Sequence, residues 1–467
     1  MSSRLILARH PLAIAGALIT TVSAVVFIAL ALAIVFGLLN NPYAGLIVFI
    51  AVPAIFILGL LLIPLGMWLQ ARTLRRDPNA VAEWSVVDFR RPTVRRAALF
   101  ITALTALNLV LLLLGGYGTL RWMESPSFCG QVCHTPMHPQ FTAWQTNAHS
   151  RVTCTECHIG EGARALVHYK LVGVRQLYHV ITNQIPRPIP GVADMRPAKE
   201  ICGTCHSADR GFPDRIRVIR EFADDESNSE TTTILQMHLG GPGQPTRTGR
   251  AIHWHADPRI NIEYVATDAD RQTIPYVKVS DHRGQVREYM TEGTTPEQLT
   301  KGAHRTMDCI DCHNVVAHRI SPTPEGAVDE AIAAGRISRA LPFIRREAVR
   351  LLKEEHAEQE AGLRAVDEGL RAFYTSQRQT VESAHLEQAV DTLQSLYGTN
   401  VFPTMKVTWG VYPDNVGHIT STGCFRCHDG GHIAKDGTSI SADCEYCHRQ
   451  IEAPATPQVL GGIPVVP

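Results

Sequence analysis

From residue 11 to residue 71 the chain carries no Asp, Glu, Lys or Arg. A helix needs roughly 20 apolar residues to cross a bilayer, so this stretch predicts two spans, over 12–39 and 45–68. Asn40, Asn41, Pro42 and Tyr43 supply the turn between them. A third apolar run, 97–118, ends just before Arg121 and Trp122. All three must be helical, because lipid offers no partner to a free N–H or C=O. A cleaved leader is the alternative for the first span, but the run is long and a tight turn and second span follow it directly.

Beyond residue 120 the pattern changes. Residues 163–181 form an amphipathic candidate helix. Leu166, Val167, Leu171, Val174 and Leu177 give it an apolar side, and Lys170 and Arg175 give it charge. Residues 207–303 carry Gly240, Gly241, Pro242 and Gly243, then alternating runs such as 276–280 that read as short strands. Residues 326–397 are rich in Ala, Leu, Glu and Arg. There Leu351, Leu352, Leu363, Val366, Leu370 and Phe373 fall at helical spacing, which reads as a packing or docking hairpin. Pro322 and Pro324 set that stretch off, and a Gly-rich tail over 401–450 follows.

Charge orients the anchor. Arg4 and Arg9 precede the first span, and Arg72, Arg75, Arg76, Arg90, Arg91, Arg95 and Arg96 separate the second from the third. The positive-inside rule puts these on the cytoplasmic side and everything after the third span outside. The balance of 44 basic and 44 acidic residues argues against a nucleic-acid partner.

All 12 cysteines fall in pairs followed by histidine. Five pairs read C-x-x-C-H: Cys154, Cys157 and His158; Cys202, Cys205 and His206; Cys309, Cys312 and His313; Cys424, Cys427 and His428; Cys444, Cys447 and His448. The first motif, Cys129, Cys133 and His134, is one residue wider. Two thiols reach the two vinyl groups of one porphyrin edge, and the next residue turns an imidazole onto the iron. A zinc ribbon needs two such pairs per metal and no trailing histidine. A disulfide framework gives no reason for six histidines in the same place. The chain therefore reads as a carrier of six covalently bound c-type haems. These are attached outside the cytoplasmic membrane, in agreement with the orientation from charge.

Six haems offer twelve axial positions. Besides the motif histidines, 15 of the 21 histidines remain, and His10 lies on the cytoplasmic side. His149, His168, His179, His238, His253, His255, His304, His318, His418 and His432 lie near enough to motifs to serve. Met137, followed by His138, is an alternative at the first iron. Two histidines on one iron keep it six-coordinate, suited to passing electrons. His418 and His432 flank the fifth motif and are the choice for its ligand and its neighbour's.

These residues resemble the NapC/NirT family of membrane-bound quinol dehydrogenase cytochromes over about residues 110–320. The likeness rests on a span running into a first haem motif, three more motifs, and the string Cys309–His313 with His318 five residues on. The three-span anchor and two added C-terminal motifs look more like the larger ImcH-type inner-membrane cytochromes of metal-reducing bacteria. The resemblance implies oxidation of menaquinol, or another quinol, and delivery to soluble periplasmic c-type cytochromes. It implies Met137 at the first iron in place of His134, His149 at the third haem, and His318 at the second. For the fourth haem it leaves His238 or His304. It also places Lys170 at the quinol pocket, where His168 or His179 supplies a second polar group. The family's acidic residue later on that helix is replaced by Leu177, near Gln176.

The expected fold is mainly α: three transmembrane helices, a periplasmic multihaem domain of little regular structure, a few short strands in an insert, and a helical hairpin. The expected divisions are an anchor at 1–120, a four-haem domain at 121–320 with its insert at 207–303, a helical segment at 321–400 and a two-haem segment at 401–467. Two other functions fit the same motifs: a conduit subunit docked on a partner membrane protein, and a haem reductase of a small nitrogen oxide.

Overall fold

The computed structural model describes residues 10–35, 38, 48, 51–76, 90, 92–132, 134–160, 162–192, 195–206, 211–241, 251–377, 381–451 and 465–466. Arg4, Arg9, the turn at Asn40 to Tyr43, Arg91, Cys133, Pro242 and Gly243 lie outside them, as do the side chains of Arg75, Arg76, His134, Leu166 and Leu177. The chain divides into two compact units, Met1–Val132 and Cys133–Pro467.

Among the described residues the long helices of the first unit are α1 (Pro11–Val35), α2 (Val52–Arg76) and α3 (Pro92–Met123). Among the described residues α1 and α2 are long and apolar enough to cross a membrane. They touch backbone to backbone. A Cβ on Gly16 would sit 2.7 Å from the Gly59 carbonyl oxygen, and one on Gly66 would sit 2.5 Å from the Ala13 nitrogen. Small residues at such crossings let helices gain dispersion contacts where lipid supplies no hydrophobic drive. The buried Thr20 and Ser23 hydroxyls donate to the carbonyls of Gly16 and Ile19, at 2.8 and 2.6 Å. Leu18, Val25 and Leu61 point outward, each 61 % exposed. Helix α2 runs past its apolar stretch because backbone pairing continues through Arg72, whose guanidinium lies over the Trp68 ring.

The second unit begins with α4 (His134–Gln145), the single turn α5 (Cys154–His158), α6 (Ala163–Ile181) and α7 (Ala198–Cys202). The insert is more regular than its composition suggests. Strands β1 (Arg215–Phe222) and β2 (Glu230–Met237) form a hairpin in register from Arg215↔Met237 to Phe222↔Glu230. Strands β3 (Ile260–Ala266), β4 (Tyr276–Asp281) and β5 (Val286–Met290) form a meander. The short helix α8 (Pro296–Lys301) then leads to β6 (Ala303–Thr306), which pairs with β3. The fourth motif follows as the single turn α9 (Cys309–Cys312).

Where one hairpin was expected, four helices pack together: α10 (Pro324–Ala333), α11 (Ile344–Leu352), α12 (Gln359–Ser376) and α13 (Ser383–Asn400). They share a core of Val328, Leu341, Ile344, Leu352, Leu370 and Leu393. Thr323 caps α10 by accepting from the Gly326 N–H, with Pro324 in the first turn. A Cβ on Gly362 would lie 2.2 Å from the Tyr397 hydroxyl, so only glycine lets α12 approach α13. Phe222 joins this core, and the wholly buried Asn228 of the β1–β2 turn donates to the carbonyls of Arg339 and Leu341. The insert is thereby pinned to the bundle.

The tail contributes β7 (Ile433–Ala434), β8 (His448–Ile451) and β9 (Val465–Val466). They complete two sheets, ordered β8-β2-β1-β9 and β6-β3-β4-β5-β7. Tail and insert thus close around the later motifs. A second core of Ala143, Ile320, Phe402, Met405 and Val407 ties α4 to the chain after α9 and to the start of the tail.

Candidate functional site

From the second motif to the sixth, each folds as about one turn, which brings two cysteines three apart to one face and the histidine just past the turn's end. The histidine N–H donates back to the first cysteine's carbonyl: His206 to Cys202 at 2.7 Å, His313 to Cys309 at 2.8 Å, His428 to Cys424 at 3.0 Å. So short a turn needs caps. At the second motif Thr153 donates its backbone N–H to the Glu156 carboxylate at 3.1 Å. In the fourth, Asp308 accepts from the Cys309 N–H while Asp311 accepts from the Asp308 N–H, both at 2.7 Å.

The imidazoles come in pairs. His158 faces His318 with ring centroids 6.1 Å apart, and His206 faces His149 at 6.2 Å. His313 faces His253 at 6.4 Å and only 15° from parallel. His428 faces His255 at 5.8 Å, and His448 faces His418 at 6.1 Å. An imidazole nitrogen binds a transition metal at about 2 Å and the ring centre lies about 1 Å further, so two rings on opposite sides of one iron have centroids about 6 Å apart. All five pairs fit that spacing.

Protonation fits as well. Burial holds His158, His253, His313, His318 and His448 below the ordinary histidine pKa. The facing imidazole adds to this for His158 and His253, and His418 does so for His448. Neutral rings are the form that binds metal. Several rings donate Nδ1–H to an oxygen: His318 to the Gln140 carbonyl at 3.0 Å, His428 to Ser441 at 2.7 Å, and His255 to Ile252 at 2.7 Å. That bond selects the tautomer whose Nε2 carries the lone pair that a metal binds.

Other sequence candidates have different surroundings. His432 is buried with Nδ1 on Asp429 at 2.9 Å and Nε2 on the Ile274 carbonyl at 2.7 Å, so neither nitrogen is free. His304 is exposed, with Nε2 on the Leu299 carbonyl. His238 bonds Asp214 through Nδ1 at 2.8 Å. The ring against His313 is His253, and the ring against His428 is His255, both from the 3-10 turn Ile252–Ala256. Met137 is half-buried, and the His138 ring lies edge-on to Phe402.

Successive motifs lie side by side. Cys202 lies beside Cys157 of the second motif and within hydrogen-bonding reach of Cys309 of the fourth, and Cys424 of the fifth lies near both Cys312 of the fourth and Cys447 of the sixth. Spatial order from the second motif to the sixth therefore follows chain order. Among the described residues no group of three or more His, Cys, Asp or Glu is placed to hold a bare metal ion.

On α6, Val167, Leu171, Val174, Tyr178 and Ile181 are 59 to 75 % exposed and recur every three or four residues. Lys170 and His179 are half-buried, and the His179 Nδ1 is buried without a hydrogen bond among the described residues. His168 is exposed beside Tyr169.

Residues 91–188 match the NapC/NirT cytochrome c family, N-terminal region. The chain is also 36 % identical over 452 residues to the cytochrome c-type protein ImcH of Geobacter sulfurreducens, across 95 % of this chain and 88 % of that one. The chain belongs to the NapC/NirT cytochrome c family. This cytochrome is a membrane protein of electron transfer and binds haem covalently. No solved structure matches it. His253 and His255 stand among the sequence candidates, but 53 residues separate His255 from the next motif's first cysteine at 309, and linear spacing does not tell which motif histidine each ring faces.

Proposed function

We propose that this cytochrome carries six haems and oxidises menaquinol or a related quinol at the bacterial inner membrane, passing the electrons to periplasmic c-type cytochromes. Helix α3 is then a third span, and the haem-bearing unit faces the periplasm. The proposed iron ligands are the pairs His158 with His318, His206 with His149, His313 with His253, His428 with His255, and His448 with His418. The first motif takes His134 or Met137. Haem supplies the one-electron couple that the side chains lack.

The observation that carries quinol oxidation is the bare apolar stripe of α6. A helix with an exposed apolar face, basic flanks and no acidic residue suits the membrane interface, the depth a quinol head group reaches while its tail stays in lipid. Oxidation to the quinone releases two electrons and two protons. Lys170 donates a hydrogen bond to the quinol oxygen, and the unpartnered Nδ1 of His179 accepts a proton. The first motif begins six residues beyond α3 in the chain and is where electrons arrive. The five histidine pairs leave no open position on their irons, which suits conduction over reduction of a small nitrogen oxide.

Two variants test this. Lys170→Leu should slow quinol oxidation by about tenfold or more, the loss expected for a hydrogen bond from a charged donor, and Val174→Glu should weaken docking on lipid vesicles. Haem content should be unchanged in both. Turnover at the native rate in Lys170→Leu contradicts the assignment.

A further inference from the structure

The joint between the fourth and fifth motifs holds the most deeply buried carboxylate near any motif. Asp311, between Cys309 and Cys312, is 2 % exposed. Its Oδ1 accepts from the Tyr264 hydroxyl at 2.6 Å and from the Arg271 guanidinium at 2.8 Å, and Arg305 lies at 3.5 Å. Its Oδ2 accepts the Asp308 N–H. Arg426, between Cys424 and Cys427 of the fifth motif, donates to the Asp311 carbonyl at 2.6 Å and to the Arg271 carbonyl at 3.1 Å. Asn415 donates to the same Asp311 carbonyl at 3.1 Å. The fifth motif is thus bonded directly to the fourth, and one turn supplies both distal rings, His253 and His255.

The network is larger than packing requires. A capping carboxylate needs one backbone N–H, and Asp308 already fills the first capping role. Asp311 is instead held against a tyrosine and two arginines in a site where charges act over a low local dielectric. Adding one electron to a ferric site lowers its charge by one. A fixed negative charge beside it opposes reduction, and a fixed positive charge favours it. Other carboxylates at this joint are Asp308, bonded to the Ala198 and Cys309 N–H groups, Asp414 near His313, and Asp429, next to His428 and bonded to His432.

We propose that Asp311 and Arg426 set the reduction potential of the fourth and fifth haems in opposite directions, Asp311 holding this middle pair low enough that electrons move on to the sixth instead of collecting there. The roles are those of positioning and electrostatic residues, since neither is an iron ligand. The inference rests on the haem assignment made above for these two motifs.

The test is an anaerobic spectroelectrochemical titration of the purified full-length protein and two variants, with haem counted by intact mass in each. Asp311→Asn should move the potential of two haems upward, and Arg426→Gln should move the same two downward, with the mass of every attached haem retained. Shifts of the same sign, or none, in variants with full haem content overturn the proposal. Should Asp311→Asn lose haem, Arg426→Gln alone decides: a potential unchanged or raised overturns it. A native protein whose mass lacks haem on Cys309/Cys312 or Cys424/Cys427 defeats the underlying haem assignment instead, a result distinct from a failed shift.

Discussion

His255 and His432 flank the same motif in space, and their hydrogen bonds separate their roles. His255 uses Nδ1 on the Ile252 carbonyl and turns its ring to His428. His432 spends both nitrogens on Asp429 and Ile274 inside the core. His432 is the sequence choice because it stands four residues after His428, and nothing in linear spacing reveals that both its nitrogens are taken. His255→Ala should convert one haem from low-spin to high-spin, read by electron paramagnetic resonance. His432→Gln should leave that spectrum intact while lowering stability by about 1–3 kcal/mol, the cost of stranding a buried hydrogen-bond partner. A high-spin signal in the His432 variant would reverse the two roles.

At the scale of elements, legibility followed periodicity. The apolar runs gave α1 closely and α2 with its ends shifted by seven or eight residues toward the C-terminus, because a span must be helical and apolar throughout while its ends are set by backbone pairing. The hairpin expected over 326–397 is four helices, since Gly335 and the turn ending at Phe343, both in the left-handed region, end and restart the pattern. The sheets were less legible. Strand β7 has two residues and β8 begins on a motif histidine, so neither shows alternation. The bundle of α10 to α13 carries no haem motif and has its own core, so its stability separates from the redox centres. Leu393→Ala removes a fully buried side chain and should cost about 2–5 kcal/mol. Thermal melting should fall while the potentials of the five paired haems stay put; shifted potentials would mean the bundle sets haem geometry.

At the scale of the whole molecule, the cysteine motifs announced the cofactor outright, because their spacing is the attachment chemistry. The wiring between them was not readable from spacing; the family resemblance alone pointed to His149 for the third haem and His318 for the second. Facing rings come from before, after and far outside the motif they meet: His149 precedes the second motif and faces the third's histidine, and His318 follows the fourth and faces the second's. In the proposed assignment such crossing ligands tie segments remote in sequence, which couples haem attachment to folding. The result is a row in which chain order and spatial order agree from the second motif to the sixth.

The central claim is that electrons enter this row from quinol without another protein. The direct measurement is to mix the purified cytochrome, anaerobically and in lipid, with a reduced menaquinol analogue and follow the haem absorbance. The account predicts reduction of the haems with no partner added, to an extent set by their potentials. Haems that stay oxidised with quinol yet are fully reduced by dithionite would contradict it, leaving the protein a conduit fed by a partner subunit.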